Sequence, residues 1–143
     1  MIFRPATQED LDFVRQNPVE DAVKNYPYLG VPDDNTYAVE YEGSLVAVGG
    51  LYVRWEGVGL LWLILTAESA KDGLHGLRAL CAIKEKTDEL IAKNNLWRAE
   101  AIVRVDFEQA IKMIEFLGFQ RECTLEKYMP DKTDAHLFKR IIR

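Results

Sequence analysis

Residues 60–77 read LLWLILTAESAKDGLHGL, and the order of the remaining elements can be predicted around them. Residues 60–65 are apolar without interruption, a pattern typical of a central strand that is covered on both faces. Small and polar side chains follow over residues 66–73, and a long helix is predicted from there to about Lys93. The core-facing stripe of that helix has the i, i+4, i+7, i+8 spacing, formed by Ile83, Thr87, Leu90 and Ile91. The stretch is therefore a strand that leads through a loop into a helix.

The residues before this stretch predict strands, turns and a short helix. A first strand is expected at residues 2–5. Residues 7–10, a threonine three positions ahead of an aspartate, resemble a capping box that opens a short helix. Prolines and a glycine break residues 17–34 into loop and short helix, and such segments often form one wall of a ligand cleft. Period-two alternation predicts strands at residues 37–41 and 45–53.

The residues after the long helix predict the rest of the sheet. Residues 96–105 alternate between alanine or valine and charged side chains, as expected for a half-buried strand. A helix is predicted at residues 107–117, and Gly118 is well suited to end it because glycine tolerates the left-handed conformation. Closing strands are expected at residues 122–128 and 135–142.

The element order is β-α-(loop/helix)-β-β-β-α-β-α-β-β. One strand-helix-strand crossover between antiparallel flanks makes a mixed sheet. The predicted fold class is therefore α/β, with a mixed and strongly twisted β-sheet flanked by helices. A length of 143 residues is that of one domain, and we expect a single domain over residues 1–143.

Composition and charge argue against several classes of partner. The net charge of −5 and the scattered Lys and Arg residues give no basic face for phosphates, so no nucleic acid is expected. The apolar run at residues 60–65 is too short to cross a bilayer, so no membrane is expected. Cys81 and Cys123 cannot form a disulfide framework, and Cys81 is expected in the core as part of the apolar stripe of the long helix. We expect a cytoplasmic monomer or homodimer.

The loop and helix start within residues 66–77 are the strongest candidate for a binding site. Gly73 and Gly76 leave backbone N–H groups accessible and let a ligand approach closely. The helix dipole favours an anion there, Lys71 would add a compensating charge, and a pyrophosphate is well suited. The alternative is that the two glycines only shape a loop, which is the commoner role of so short a motif.

The element order and residues 107–119, FEQAIKMIEFLGF, together resemble the GCN5-related N-acetyltransferases. In that family the fifth strand leads to a helix with an early Ala-Ile pair and a Leu-Gly-Phe ending. Residues 110–111 and 117–119 match both features. The match covers the whole chain by element order and a smaller part of it by motif. A narrower resemblance, to acetyltransferase-like proteins of tailed bacteriophages, involves Trp62 and residues 96–97.

The resemblance implies a coenzyme A site at the end of the fourth strand. The family's phosphate loop has the form (Gln/Arg)-x-x-Gly-x-(Gly/Ala), and its positions fall on Lys71, Leu74 and Gly76. Leucine replaces the first glycine, and the adjacent Gly73 is expected to restore backbone room. The implied cofactor-binding residues are Leu65, Thr66, Lys71, Gly73, Leu74, His75, Gly76 and Leu77.

The resemblance also implies the reaction, in which an amine attacks acetyl-CoA directly, without a metal. A backbone N–H near Leu65 would hold the acyl carbonyl, and the acceptor would be an amine of a small molecule or of a protein. Much of the rate in such a reaction comes from positioning and polarisation.

Several family positions are replaced in this chain. Phe107 occupies the place of a frequent Asn, and Ile114 that of a Tyr that acts as general acid toward the thiolate. Position 114 lies one turn beyond Ala110 on the same side of the helix, from which a tyrosine would reach toward the strand ends. The alternative is that Ile114 is a tightly packed core residue. The fourth strand offers no glutamate as a base. The remaining candidates are Asp106, which is also a candidate helix N-cap, and Tyr128, which is also a candidate packing residue.

These replacements keep a second hypothesis open. The chain would then be a non-catalytic member of the same fold that binds coenzyme A, or nothing, and serves as a virion-associated or regulatory interaction module. Leu74, Phe107 and Ile114 favour this hypothesis, whereas Lys71 and Gly76 favour the enzyme.

Overall fold

The structure of the protein, a computed structural model, describes residues 1–26, 30–70 and 73–143, without the side chains of Asn25, Ala70 and residues 73–77. Within these ranges the strands are β1 (Ile2–Pro5), β2 (Thr36–Tyr41), β3 (Ser44–Trp55), β4 (Val58–Leu65), β5 (Arg98–Arg104), β6 (Gln120–Leu125) and β7 (Ala135–Ile141). The helices are α1 (Gln8–Gln16), α2 (Gly73–Lys93) and α3 (Glu108–Phe116), with short 3₁₀ helices at Asp21–Asn25 and Ala67–Ala70. None of the helices in this part of the chain combines the length and the apolar character that crossing a bilayer requires.

The seven strands form one mixed sheet in the order β1-β2-β3-β4-β5-β7-β6. β4 and β5 are parallel neighbours and are connected through α2. Antiparallel pairing joins β1 to β2, β2 to β3, β5 to β7 and β6 to β7. The predicted α/β fold, with its mixed sheet and β-α-β crossover, is confirmed.

The described chain divides into two compact units. The first unit contains Met1–Leu51 and Leu63–Ala82, and the second contains Tyr52–Trp62 and Ile83–Arg143. β3, β4 and α2 contribute residues to both units. A single domain over residues 1–143 stays a prediction.

In the first unit, α1 begins at the predicted capping box. Thr7 Oγ1 accepts a hydrogen bond from the Asp10 N–H, and the Asp10 carboxylate accepts one from the Thr7 N–H at 2.8 Å. Leu11 and Val14 follow on the buried face of the helix. The buried residues of β2 and β3 in this unit include Ala38, Val39, Ala47 and Val48. The cap therefore fixes the helix at the point where its apolar face begins.

In the second unit, α2 buries the stripe that its sequence predicts. Ile83, Thr87, Leu90 and Ile91 are all buried. In the same unit, Ala99 and Ala101 of β5 and Phe138 of β7 are also buried.

Gly118 ends α3, as its sequence position predicts. The residue has φ 93°, in the left-handed region. The Phe119 N–H donates to the Ile114 carbonyl at 3.2 Å, and the Gly118 N–H donates to the Glu115 carbonyl at 3.0 Å. This pair of bonds is the Schellman pattern, so the predicted helix stop is confirmed together with its mechanism.

Three sequence-based expectations are wrong. Cys81 is exposed, because it precedes Ile83 by two residues and lies about 200° around the helix from it. β6 ends at Leu125, since Lys127 has φ 52°, which interrupts an extended strand. Residues 60–65 are half-buried rather than covered on both faces. In the described part of the chain, β4 pairs with β5 only over its first three residues, so its later residues have no such neighbour in register.

Replacing Asp10 by Asn is expected to lower the free energy of unfolding by about 2 kcal/mol at neutral pH. The carboxylate, 10% exposed, accepts hydrogen bonds from both Nη atoms of Arg4, at 2.7 and 2.8 Å. These bonds hold the pKa of Asp10 below its ordinary value. The stability that the ionised Asp10 carboxylate contributes is therefore fully present above about pH 4. It is lost as the pH falls through the pKa of Asp10 in the folded protein.

Urea unfolding at about pH 7 and about pH 2 measures both effects. The matched control is Asp12→Asn, on the exposed side of the same helix, for which a change within about 0.5 kcal/mol is expected. Equal losses for the two variants, or a difference that persists unchanged in acid, would contradict the assigned role of Asp10.

Candidate functional site

The carboxyl end of β4 is fixed by hydrogen bonds around Thr66, one of the predicted cofactor-binding residues. The Thr66 N–H donates to the Val46 carbonyl at 2.9 Å, and its hydroxyl donates to the Leu45 carbonyl at 2.9 Å. Its own carbonyl accepts from the Ser69 N–H at 3.0 Å and from the Ser69 hydroxyl at 2.6 Å. Thr66 is 1% exposed. Its side chain therefore holds the strand end against β3.

Residues 17–19 pair with the same strand end. The Val19 N–H donates to the Leu65 carbonyl at 2.9 Å, and the Ala67 N–H donates to the Asn17 carbonyl at 3.0 Å. Between these bonds, Pro18 and Thr66 form an antiparallel bridge. Successive backbone groups of a strand point to opposite edges, so both edges of β4 are held here. The sequence predicted a loop in this region but not its partner, because backbone pairing leaves no side-chain pattern.

The 3₁₀ helix Ala67–Ala70 leads from β4 toward α2, which begins at Gly73. Gly73 and Gly76 thus both belong to the first turn of the helix. The first four N–H groups of an α-helix have no acceptor within the helix, and the dipole makes this end positive. The anion site at this helix start stays a prediction.

For the other predicted members of the site, the structure describes only the backbone or nothing. Lys71 lies outside the described residues, as does Asp72. Leu74, His75 and Leu77 belong to α2 by their backbone, and their side chains lie outside the description. Within the described residues, no group of three or more His, Cys, Asp and Glu side chains is placed to hold a metal ion.

Asp106 follows β5 and was predicted as a base or as a helix N-cap. The N-cap prediction is wrong, since the N-cap of α3 is Phe107 and no side chain caps it. The Asp106 carboxylate instead accepts hydrogen bonds from Nε and Nη2 of Arg104 at 3.1 and 3.2 Å. These bonds hold the pKa of Asp106 below its ordinary value. The arginine thus competes for the carboxylate that a cap would need and makes it a weaker base.

Tyr128 lies in the loop between β6 and β7 rather than on a strand, and it is 52% exposed. The packing role that its predicted strand position suggested is therefore wrong, because half of the side chain meets solvent. A catalytic role for Tyr128 stays a prediction.

Ile114, at the position of the family's tyrosine acid, is a core residue with 4% exposure. Its carbonyl also takes part in the end of α3 by accepting from Phe119. This burial favours the alternative that position 114 is a packed core residue. At this position the chain carries a buried isoleucine.

Replacing Ile114 by Tyr is expected to destabilise the protein by about 1–3 kcal/mol, because the larger ring overpacks a filled core. The control is Phe116→Tyr, which adds a hydroxyl to a side chain that is 42% exposed on the same helix and should leave stability unchanged. Thermal unfolding measures both variants. An Ile114→Tyr protein as stable as the wild type would show that position 114 opens to solvent or to a cavity.

No protein-family model matches the sequence, and no curated protein matches it. Solved structures do match over nearly the whole chain. A variant of spermidine N-acetyltransferase SpeG from Vibrio cholerae is 17% identical with a TM-score of 0.74, over 98% of this chain and 92% of that chain. Ard1 from Thermoplasma volcanium is 18% identical with a TM-score of 0.72, over 99% of this chain and 97% of that chain.

A chimera of Vibrio cholerae SpeG and hSSAT, also a spermidine N-acetyltransferase, is 16% identical with a TM-score of 0.70, over 99% of this chain and 96% of that chain. At such identities the likeness is one of fold. The narrower resemblance to bacteriophage proteins stays a prediction. The chain has the fold of the GCN5-related N-acetyltransferases, as the order of its elements and residues 107–119 predicted.

Proposed function

We propose that the protein is an acetyl-CoA-dependent N-acetyltransferase that transfers an acetyl group to an amine of a small molecule or a protein. The observation that carries the proposal is the full-length likeness in fold to N-acetyltransferases. The anchored end of β4 and the start of α2 support it, because they supply the backbone groups that such a cosubstrate needs. A cytoplasmic location and a monomeric or homodimeric state stay predictions.

The pyrophosphate of coenzyme A is proposed to bind at the start of α2, over the backbone amides of residues 73–77. These amides lie at the positive end of the helix, and glycines at positions 73 and 76 leave room for the phosphates. Lys71 is proposed to add a cation to the same site. Leu74, His75 and Leu77 would contribute through their backbone.

The acyl carbonyl is proposed to accept a hydrogen bond from the Leu65 amide. Among the neighbouring amides, that of Thr66 donates to Val46 and that of Ala67 donates to Asn17. Both are thus committed to holding the strand end. A rigid donor aimed at the developing oxyanion lowers the barrier without reorganisation during the reaction.

In the proposed reaction the neutral amine nitrogen attacks the acetyl carbonyl carbon. The C–N bond forms, the thioester C–S bond breaks, coenzyme A leaves as a thiolate, and the extra amine proton passes to a base or to water. Thiols are acidic enough to leave without strong protonation. The catalytic roles of Asp106 and Tyr128 stay predictions. The Asp106 carboxylate is paired with Arg104, and Tyr128 is exposed.

One observation favours the second candidate function, a coenzyme A-binding module without catalysis. Ile114 is buried at the position of the family's acid. General acid–base help contributes about 10²–10⁴-fold, so its loss slows the reaction without forbidding it. We therefore keep the enzyme as the proposal and expect a modest turnover.

Acetyl-CoA is expected to bind the wild-type protein, and Gly76→Glu is expected to abolish that binding while the fold stays intact. The added carboxylate would occupy and repel the phosphate position at the first turn of α2. The matched control is Cys81→Glu, which places the same side chain on an exposed position later in the same helix. Calorimetric titration with acetyl-CoA and with coenzyme A, together with thermal unfolding, measures binding and integrity.

Thiol release in the presence of spermidine, or of a short peptide with a free amino group, then separates the two functions. Release that depends on the amine supports the enzyme. Binding without release supports the module. If wild type shows no heat and no thermal shift at millimolar acetyl-CoA, the coenzyme A site is wrong, and equal loss of binding in both glutamate variants would place the site elsewhere.

A further inference from the structure

Thr66 carries an enclosed hydroxyl group at the end of β4, in the first unit. The hydroxyl oxygen lies 2.9 Å from the Leu45 carbonyl oxygen and 3.2 Å from the Val46 carbonyl oxygen. Because a hydroxyl has one hydrogen, these two carbonyls share a single donor. The side chain of Thr66 is therefore directed at β3, and the coenzyme A chemistry proposed above makes no use of it.

The peptide unit before Thr66 is hydrogen-bonded on both sides. Its carbonyl oxygen, which belongs to Leu65, accepts from the Val19 N–H at 2.9 Å. Its N–H, which belongs to Thr66, donates to the Val46 carbonyl at 2.9 Å. A trans peptide unit is planar, and its C=O and N–H point in opposite directions. The two bonds therefore fix the orientation of the whole unit.

The peptide unit after Thr66 is hydrogen-bonded in the same way. Its carbonyl oxygen accepts from the Ser69 N–H at 3.0 Å, and its N–H, which belongs to Ala67, donates to the Asn17 carbonyl at 3.0 Å. The Cα atom of Thr66 thus joins two peptide units that are each bonded at both ends. The hydroxyl adds a bond from the side chain of the same residue, and so it restrains the atom at which the two units meet.

The Leu65 amide, the proposed donor to the acyl carbonyl, directly precedes this pair of fixed units. The Leu65 carbonyl belongs to the first of them, so the direction of the Leu65 N–H follows from the backbone angles of Leu65. A donor stabilises a developing oxyanion only if it is aimed at the place where the charge develops. Loss of a restraint at residue 66 is therefore expected to misalign the proposed donor.

We propose that Thr66 is a positioning residue for acetyl transfer, because its hydroxyl fixes the strand end that aims the Leu65 amide. The inference rests on the proposed acetyltransferase function. The hydroxyl touches neither acetyl-CoA nor the amine in this account, since it is enclosed and bonded to β3. It acts through the backbone, so it affects the rate of the chemical step more than the binding of coenzyme A.

The hydroxyl can be removed with little change in the shape of the side chain. Thr66→Val keeps the branch at Cβ but replaces the oxygen by a methyl group, which removes the donor to the Leu45 carbonyl. Thr66→Ser keeps the donor and is expected to keep most of the rate. Both variants retain the backbone groups of residue 66, including the carbonyl that accepts from Ser69 on the way to α2. The proposed phosphate site should therefore stay in place.

The experiment compares wild type with Thr66→Val, Thr66→Ser and a control, Thr87→Val. Thr87 is also a buried threonine, and it lies on α2 in the second unit. Three quantities are measured well below each melting temperature. They are the Kd of coenzyme A, the kcat and KM for acetyl-CoA with spermidine or the peptide amine in excess, and the hydrogen-exchange rates of the Val19 and Ala67 amides. These two amides form the bonds between the strand end and residues 17–19, so their exchange reports its opening.

For Thr66→Val we expect a fall of about 10- to 100-fold in kcat, the effect of a misaligned donor in the reaction. The Kd of coenzyme A should stay within about twofold of wild type. Exchange of the Val19 and Ala67 amides should become about tenfold faster. Thr66→Ser should keep kcat within about threefold of wild type, and Thr87→Val should match wild type in all three quantities.

A kcat of Thr66→Val equal to that of Thr87→Val, in a wild type that turns over, would overturn the positioning role and leave the proposed function standing. A fall in kcat without faster exchange would also overturn it, since the hydroxyl would then not hold the strand end. The same conclusion follows from a parallel loss of coenzyme A binding, which indicates general damage to the fold.

Should Thr66→Val not fold, Thr66→Ala is compared with Thr66→Ser, because these two variants differ only in the hydroxyl. An equal kcat for the alanine and serine variants would overturn the role. If wild type binds no acetyl-CoA or releases no thiol, the proposed function fails and the positioning role fails with it.

Discussion

The carboxyl end of β4 is held along both edges by backbone hydrogen bonds, and the proposed site depends on this anchoring. Val46 accepts from the Thr66 amide on one edge, while Leu65 and Ala67 are bonded to residues 17–19 on the other. A strand end fixed in this way also sets the start of α2, because only a short connection separates them. Binding groups that are preorganised lose little freedom when a ligand arrives. The first unit therefore supplies an anchored strand end, on which the proposed backbone site would depend.

In the second unit, a side chain anchors the end of a strand. Arg104 ties the end of β5 to the β6–β7 loop through carboxylate and hydroxyl partners. The price is a weaker base at Asp106, whose pKa lies below its ordinary value because of the same arginine. With Ile114 in the core, the proposed reaction would depend on positioning and polarisation more than on acid–base help. A protein of this kind is expected to tolerate changes in its titratable groups better than changes in the geometry of its strand ends.

Local chemistry could be predicted from the sequence, and long-range partners could not. The capping box at Thr7 and the helix stop at Gly118 are local motifs, and both are present as predicted. The N-cap prediction for Asp106 was wrong, because its carboxylate is bonded to Arg104, which also bonds Asp131 far along the chain. Pairing of residues 17–19 with β4 leaves no trace in the pattern of side chains. Burial of Ile114 depends on the packing of the second unit, which the helical period alone does not reveal.

The central claim, that the start of α2 binds the phosphates of coenzyme A, is tested most directly by amide NMR. A ¹⁵N-labelled sample is titrated with coenzyme A, and the shift of every resolved backbone amide is followed. The account predicts that the largest, saturable changes in chemical shift occur at the amides of residues 73–77 and Leu65. The chemical shifts of the β6 amides should not change. An absence of saturable changes, or changes confined to residues outside the end of β4 and the start of α2, would contradict it.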